Sequence, residues 1–172
     1  MTGIAENKKE LNIKILAVAI VLPLLTGTLS SLLSGDMIKT YFFLQKPRFA
    51  PPGWVFPAVW TLLYVLMGLA SYIIYTSDKD RQFKGNALLI YLGQLVMNFI
   101  WPILFFRFSL YMGSFLWMIL LWLGILVSTG CFFMLDRTAG LLMLPYAVWT
   151  GYALYLNGAV YILSLTPVAA PK

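Results

Sequence analysis

The sequence contains no histidine and a single cysteine, Cys131, among its 172 residues. Histidine is the commonest metal ligand and general base and the usual axial ligand of haem. Its absence argues against a metal centre and excludes Ser–His and Cys–His nucleophilic mechanisms. A single cysteine excludes a disulfide within the chain. We therefore predict no metal site, no obligatory cofactor and no catalytic triad.

Charged residues are also scarce: 10% of the chain is charged and 61% is hydrophobic. Soluble domains average about 25% charged residues, so we predict an integral, multi-pass membrane protein whose partner is the lipid bilayer. The six carboxylates lie near predicted loops or chain ends, which leaves no buried acid pair for proton relay or hydrolysis. The Lys and Arg side chains lie in loops, tails and span ends, where they suit anionic lipid headgroups better than nucleic acid.

Five apolar stretches are each long enough to cross a hydrocarbon core of about 30 Å as a helix. They cover about 11–33, 55–76, 87–106, 110–135 and 139–165. The sequence therefore predicts an all-α bundle of five transmembrane helices, forming a single domain over 1–165 with a flexible tail at 166–172. Most connections are short, so successive helices are expected to be antiparallel.

Two local features refine this prediction. Asn86 precedes the third apolar stretch and is expected to cap that helix. In the first stretch Gly27, Ser31 and Gly35 recur every four residues, a small-residue pattern that lets another helix approach closely. This pattern indicates either packing within the bundle or a dimer seam.

The connection between the first two spans is rich in proline and aromatic residues. Residues 46–64 hold four prolines, two cations and five aromatics. Because proline fixes φ and lacks an N–H, we expect a stiff, extended loop. One interpretation is a lid over a ligand site, formed by Lys46, Pro47, Arg48 and Phe49. The other is an aromatic belt with basic anchors at the membrane surface, where we place Trp54.

Polar and aromatic side chains inside the spans fall at helical spacing. An amide or hydroxyl in hydrocarbon is costly unless it is hydrogen-bonded, so these groups should point inward. They hold the helices together, or they are the few polar contacts of an aromatic pocket. The residues that share faces are Trp60 and Tyr64; Gln94, Asn98 and Trp101; and Trp149, Ala153 and Asn157. Pro102 removes a backbone donor beside Asn98 and predicts a kink.

Four motifs occur in one order along the chain. They are P-x-F-x-P-P from Pro47, F-P-x-V-W-T-x-L-Y from Phe56, G-Q-L-x-x-N-x-x-W-P from Gly93 and P-Y-x-x-W-x-x-x-A-x-x-L-N from Pro145. Together they resemble the tryptophan-rich sensory protein family, the bacterial relatives of the translocator protein. The resemblance extends over about 27–161 and includes all five spans.

The resemblance implies a homodimeric protein of the bacterial cell membrane with one pocket beneath the first loop. Members bind tetrapyrroles such as protoporphyrin, and hydrophobic drugs of the isoquinoline and benzodiazepine classes. Trp60 and Trp149 are expected to face each other across the pocket. The other residues that match the family's pocket are Phe56, Pro57, Val59, Asn98, Trp101, Ala153 and Leu156. The spacing argument adds Tyr64 and Gln94.

Three functions stay open at this point. The first is a tetrapyrrole-binding sensor, carrier or scavenger. Without histidine, such binding would use the porphyrin's face and its carboxylates, which Lys39, Lys46 and Arg48 could meet. The second is light-dependent porphyrin degradation with Trp60 and Trp149 as electron donors. The third is a transporter, which the lack of ionisable residues inside the membrane disfavours.

Overall fold

Six α-helices make up most of residues 11–165, the part of the chain that the computed structural model describes. Five of them are long and apolar enough to cross a membrane, which confirms the predicted all-α, five-span fold. The tail predicted at 166–172 lies outside the described residues. The helices are α1 (Ile13–Leu33), α2 (Met37–Phe43), α3 (Val55–Thr76), α4 (Arg81–Pro102), which continues as a π-helical turn (Ile103–Arg107), α5 (Tyr111–Leu135) and α6 (Arg137–Ser164).

The five long helices form a closed ring. α1 packs on α3, α3 on α6, α6 on α5, α5 on α4, and α4 returns to α1. The buried side chains between them are mostly large and apolar, and those shielded completely from solvent include Met67, Ile74, Met118, Ile125, Phe132 and Met143. In a bilayer this packing is stabilised by van der Waals contact rather than by removal of water.

Glycines allow α1 and α3 to approach closely. A Cβ on Gly68 would lie 2.6 Å from the Ile20 Cα, and a Cβ on Gly27 would lie 2.1 Å from the Tyr64 ring. Gly27 therefore packs within the bundle. Gly35 lies in the turn after α1 with φ +79° and open space around it, a conformation that favours glycine. Gly27, Ser31 and Gly35 therefore do not form one continuous packing surface along α1.

The start of α4 corrects the prediction for the third span. The helix begins at Arg81 rather than Ala87, and its cap is Asp80, whose carboxylate accepts a hydrogen bond from the Phe83 backbone N–H at 2.8 Å. Asn86 lies inside the helix. The prediction was wrong because the first turns of α4 are polar and extend beyond the apolar stretch.

The first loop was predicted to be extended. Part of it is helical instead, because the loop contains α2. The Asp36 carboxylate caps α2 by accepting from the Lys39 N–H at 2.9 Å. At the other end the Lys46 ammonium donates to the carbonyls of Tyr41 and Phe42. No proline occurs between Met37 and Phe43, so nothing prevents a helix there, and the proline-rich part of the loop follows it.

The irregularity expected at Pro102 takes the form of the π-helical turn. Pro102 has no N–H to donate to the Asn98 carbonyl, and the backbone changes helix type directly after it. Side chains from other helices bind the neighbouring carbonyls. Trp117 Nε1 donates to Met97 O at 2.9 Å, and Ser30 Oγ donates to Phe99 O at 2.7 Å. Such π-helical turns are frequently found at functional sites.

Candidate functional site

A cavity of about 480 Å³ lies between α1, α3 and α4, with α2 beside its loop-side end. This volume is within the range of about 300–1,000 Å³ typical of small-molecule sites. Twenty-one described residues line it: Leu24, Gly27, Thr28, Ser30, Ser31 and Leu32 of α1; Gly35 and Asp36; Met37, Ile38 and Tyr41 of α2; Gly53; Phe56, Pro57, Trp60, Thr61 and Tyr64 of α3; and Asn98, Trp101, Pro102 and Phe106 at the end of α4.

Aromatic rings form much of the wall, and each is held by a neighbouring ring. The centroids of Trp60 and Tyr64 are 5.6 Å apart, and those of Tyr41 and Phe56 are 5.0 Å apart. Trp101 stacks on Phe105 at 5.5 Å. Rings fixed in this way offer flat apolar faces on which a planar ligand can stack.

A chain of buried hydrogen bonds crosses the bundle beside the cavity. Tyr64 Oη donates to Asn98 Oδ1 at 2.9 Å, and Asn98 Nδ2 donates to Tyr146 Oη at 2.8 Å. Tyr146 Oη in turn donates to Gln94 Oε1 at 2.7 Å. The chain joins α3, α4 and α6, so the interpretation that Gln94 and Asn98 hold the helices together is confirmed. Asn98 and Tyr64 also line the cavity.

Six of the residues predicted to contact a ligand lie around this cavity: Phe56, Pro57, Trp60, Tyr64, Asn98 and Trp101. The other five are not among its described lining residues. Val59 packs against the core, and Gln94, Ala153 and Leu156 are buried within the bundle.

The position of Trp149 differs from the expectation that Trp60 and Trp149 face each other across the cavity. Trp60 lines the cavity, whereas among the described residues none from α5 or α6 does. Trp149 instead packs edge-on against Phe56, with ring centroids 5.9 Å apart. The helical spacing correctly predicts that Trp149 lies on the face of α6 that is turned toward the bundle. The difference arises because α6 packs on α3 and α5, away from α1.

The predicted lid residues lie near the cavity but do not line it. Phe49 is 79% exposed. Lys46 caps α2, and its ammonium lies 4.6 Å from the centroid of the Tyr41 ring. The part of the first loop that lines the cavity is instead α2, a helix that was not predicted, together with Gly53. Trp54 is 72% exposed, in keeping with its predicted place at the membrane surface.

Two tyrosine hydroxyls hold the loop after α2 in place. Tyr41 Oη donates to Pro51 O, and Tyr152 Oη donates to Phe49 O, both at 2.7 Å. Burial raises the pKa of Tyr41, and the nearby Tyr152 phenol raises it further. Tyr41 therefore stays protonated at neutral pH and keeps its hydrogen bond to the loop.

Sequence reasoning missed the contribution of α1 to the wall. Thr28, Ser30 and Ser31 line the cavity, although the first span was assigned only a packing role. The signal that could have revealed them is the cluster of hydroxyl side chains in residues 26–31 of an otherwise apolar span. Asp36 was also missed, and it is the one acidic or basic side chain among the described lining residues.

Comparison with known proteins agrees with this architecture. Residues 19–163 match the TspO/MBR family. The chain belongs to this family. It is 36% identical over 131 residues to the tryptophan-rich sensory protein of Cereibacter sphaeroides, covering 76% of this chain and 79% of that protein. It is 34% identical over 134 residues to the human translocator protein, covering 77% and 79%.

The alignment with a third relative covers more of this chain. The tryptophan-rich protein TspO of Archaeoglobus fulgidus is 32% identical over 157 residues, covering 90% of this chain and 99% of that protein. The resemblance inferred from the four motifs is therefore confirmed. The chain is a multi-pass membrane protein of the TspO/MBR family, with five apolar helices.

Proposed function

We propose that this TspO/MBR protein binds tetrapyrroles of the protoporphyrin type, and related flat hydrophobic molecules, in the cavity between α1, α3 and α4. The observation that carries the proposal is the cavity of about 480 Å³ with rigid aromatic walls. A planar macrocycle needs extended flat faces, and indole and phenyl rings offer them at little conformational cost. Binding of this kind requires no metal ligand, which suits a chain without histidine.

The polar groups around the cavity support the same ligand class. The hydroxyls of Thr28, Ser30 and Thr61 donate to backbone carbonyls at 2.7–2.8 Å, and the Tyr64 hydroxyl donates to Asn98. Because these donors are already used within the protein, the ligand meets a wall that is largely apolar. Such a wall favours a molecule with a large hydrocarbon surface and few buried polar groups.

The names of the relatives, sensory protein and translocator protein, fit a protein that acts by binding and releasing a ligand. We propose that this chain acts as a sensor, carrier or scavenger of the tetrapyrrole. The homodimer implied by the resemblance stays a prediction.

Titration of the purified protein with protoporphyrin tests the proposal. We expect saturable quenching of tryptophan fluorescence with a dissociation constant on the order of micromolar, about −8 kcal/mol. The Trp54→Phe protein loses an exposed indole that is not among the residues lining the cavity, and it should bind equally well. Linear quenching equal to that of an unrelated membrane protein would show that porphyrin does not bind at a specific site.

A further inference from the structure

The cavity is closed toward α4 and open between α1 and α3. Its α4 residues, including Asn98 and Trp101, are buried or half-buried. By contrast Thr28 of α1 and Thr61 of α3 line the cavity and are exposed on the outer surface of the bundle. A residue that meets both the cavity and the outer surface marks an opening, so the cavity opens along the seam between these two helices. Gly35, Asp36 and Ile38 also line the cavity and are exposed, so the opening continues to the loop-side end of the seam.

The packing of α1 on α3 explains why the seam opens at this level. Close contacts between these helices are at Gly68, which meets the α1 backbone at Ala19 and Ile20, and at Gly27, which meets Tyr64. The two helices are antiparallel, so beyond these contacts lie the C-terminal end of α1 and the N-terminal end of α3. There both helices line the cavity.

The rim of the opening is apolar. Thr28 Oγ1 donates to Leu24 O, and Thr61 Oγ1 donates to Pro57 O, both at 2.8 Å within their own helices. These bonds satisfy the hydroxyl donors, as is common for threonine in membrane helices. The other exposed rim residues are Leu32, which is 73% exposed, and Pro57. All four residues belong to α1 and α3, which are long and apolar enough to span a membrane. Thr28 and Thr61 lie more than one turn from the ends of these helices, where we expect the rim to face hydrocarbon.

The loop side differs from the seam because it carries hydrogen bonds to the loop backbone and a charge. Tyr41 and Tyr152 bind the loop backbone, and Lys46 binds the end of α2. Asp36 lines the loop-side end of the cavity. An uncharged apolar molecule that enters at this end passes the exposed Asp36, whose carboxylate caps α2.

We propose that the seam between α1 and α3, rimmed by Thr28, Leu32, Pro57 and Thr61, is a lateral portal. Uncharged ligands dissolved in the bilayer reach the cavity through it without crossing the aqueous loop side. This inference rests on the proposed function, since it assumes that the cavity binds such ligands.

Stopped-flow fluorescence on protein reconstituted in lipid vesicles tests the portal, with protoporphyrin dimethyl ester as the uncharged probe. Thr61→Phe places a bulky ring at the rim. We expect its association and dissociation rates both to fall about tenfold while the dissociation constant changes less than about threefold, because an obstructed path changes rates more than the bound state. Thr28→Phe should have the same effect, and it provides a second test if Thr61→Phe fails to fold.

Two controls separate the possible outcomes. Leu62→Phe adds the same ring to α3 at a residue that is 58% exposed but does not line the cavity, and it should leave the rates unchanged. Tyr152→Phe removes the hydroxyl that holds the loop at Phe49, and it should also leave them unchanged. Rates that are unaffected by both rim variants, or raised by Tyr152→Phe, would overturn the portal and leave the proposed function intact. Absence of saturable binding in the parent protein would overturn both.

Discussion

At the scale of single residues, Trp60 and Trp149 are expected to contribute unequally to ligand binding. Trp60 lines the cavity, whereas Trp149 lies behind Phe56. We predict that Trp60→Phe weakens protoporphyrin binding by about 0.5–1.5 kcal/mol, the contribution typical of an aromatic contact. Trp149→Phe should change the affinity by less than about twofold, or about 0.4 kcal/mol, which is below the range for one such contact. Titration by fluorescence or absorbance measures both, and an equal loss for the two variants would show that the ligand reaches Trp149.

The same residue pair separates binding from photochemistry. If the bound porphyrin is degraded in light with an indole as electron donor, the indole in contact with the cavity should dominate. We predict that illumination of the Trp60→Phe complex bleaches porphyrin more slowly than illumination of the Trp149→Phe complex, at equal occupancy. The Soret absorbance followed over time measures this. Bleaching that equals that of free porphyrin in both variants and in the parent would exclude a role for either tryptophan.

Asp36 should decide how the cavity treats charged porphyrins. Asp36 is among the residues that line the cavity, and its carboxylate caps the start of α2, while the ammonium of Lys46 is bound to the end of α2. We predict that Asp36→Asn strengthens binding of the dicarboxylate porphyrin by a few fold at low salt and less at high salt, because a like charge is removed and salt screens it. The uncharged diester serves as the control and should be unaffected.

The expectation that Lys39, Lys46 and Arg48 meet the porphyrin carboxylates stays a prediction, but the hydrogen bonds of Lys46 give that residue a different role. A Lys46→Ala change removes the cation at the end of α2, so it should weaken binding of the acid and the ester alike. A loss confined to the acid would contradict the assignment of Lys46 to the helix end and would restore the basic-lid interpretation.

At the scale of the elements, the contact between α1 and α3 depends on Gly68. An added Cβ would meet the Ala19 carbonyl oxygen at 2.7 Å and the Ile20 Cα at 2.6 Å, and backbone atoms cannot move aside easily. We predict that Gly68→Ala destabilises the bundle by about 1–3 kcal/mol, the usual range for overpacking. Thermal unfolding in detergent measures the change.

Gly93 provides the matched control for this prediction. It also lies within a membrane-spanning helix, but a Cβ added there would meet no described atom of another helix within 4 Å. Gly93→Ala should be neutral or stabilising by up to about 1 kcal/mol, because glycine is unfavourable inside a helix. Equal destabilisation by both variants would mean that the close approach at Gly68 does not limit stability.

The elements also show what the sequence could and could not predict. The apolar stretches predicted α1, α3, α5 and α6 well, because length and hydrophobicity determine membrane spans. The start of α4 was missed because its first turns are polar. α2 was missed because a seven-residue helix, Met37–Phe43, produces no long apolar stretch.

For the site, helical spacing correctly identified the inward faces but not which face meets the cavity. Trp60 and Asn98 line it, whereas Trp149 and Ala153 face the bundle elsewhere. Spacing within one helix does not determine how α6 is positioned relative to α1. The hydroxyl cluster in residues 26–31 marks an unusual part of the first span, but which cavity Thr28 and Ser31 line depends on the placement of α1 beside α3.

At the scale of the whole molecule, the cavity is offset to one side of the helix ring. It lies among α1, α3 and α4, while α5 and α6 form the most extensive helix pair. The buried hydrogen bonds from Tyr64 through Asn98 and Tyr146 to Gln94 join the two sides.

The absorption spectrum of protein purified from cells supplied with a tetrapyrrole precursor tests whether the cavity binds porphyrin. We expect a bound Soret band at close to one porphyrin per chain, retained by Trp54→Phe and reduced in Trp60→Phe. The exposed Trp54 and the cavity-lining Trp60 form a matched pair of indole removals. A Soret band no stronger than that of an unrelated membrane protein purified from the same cells, or one equally strong in both variants, would contradict binding in this cavity.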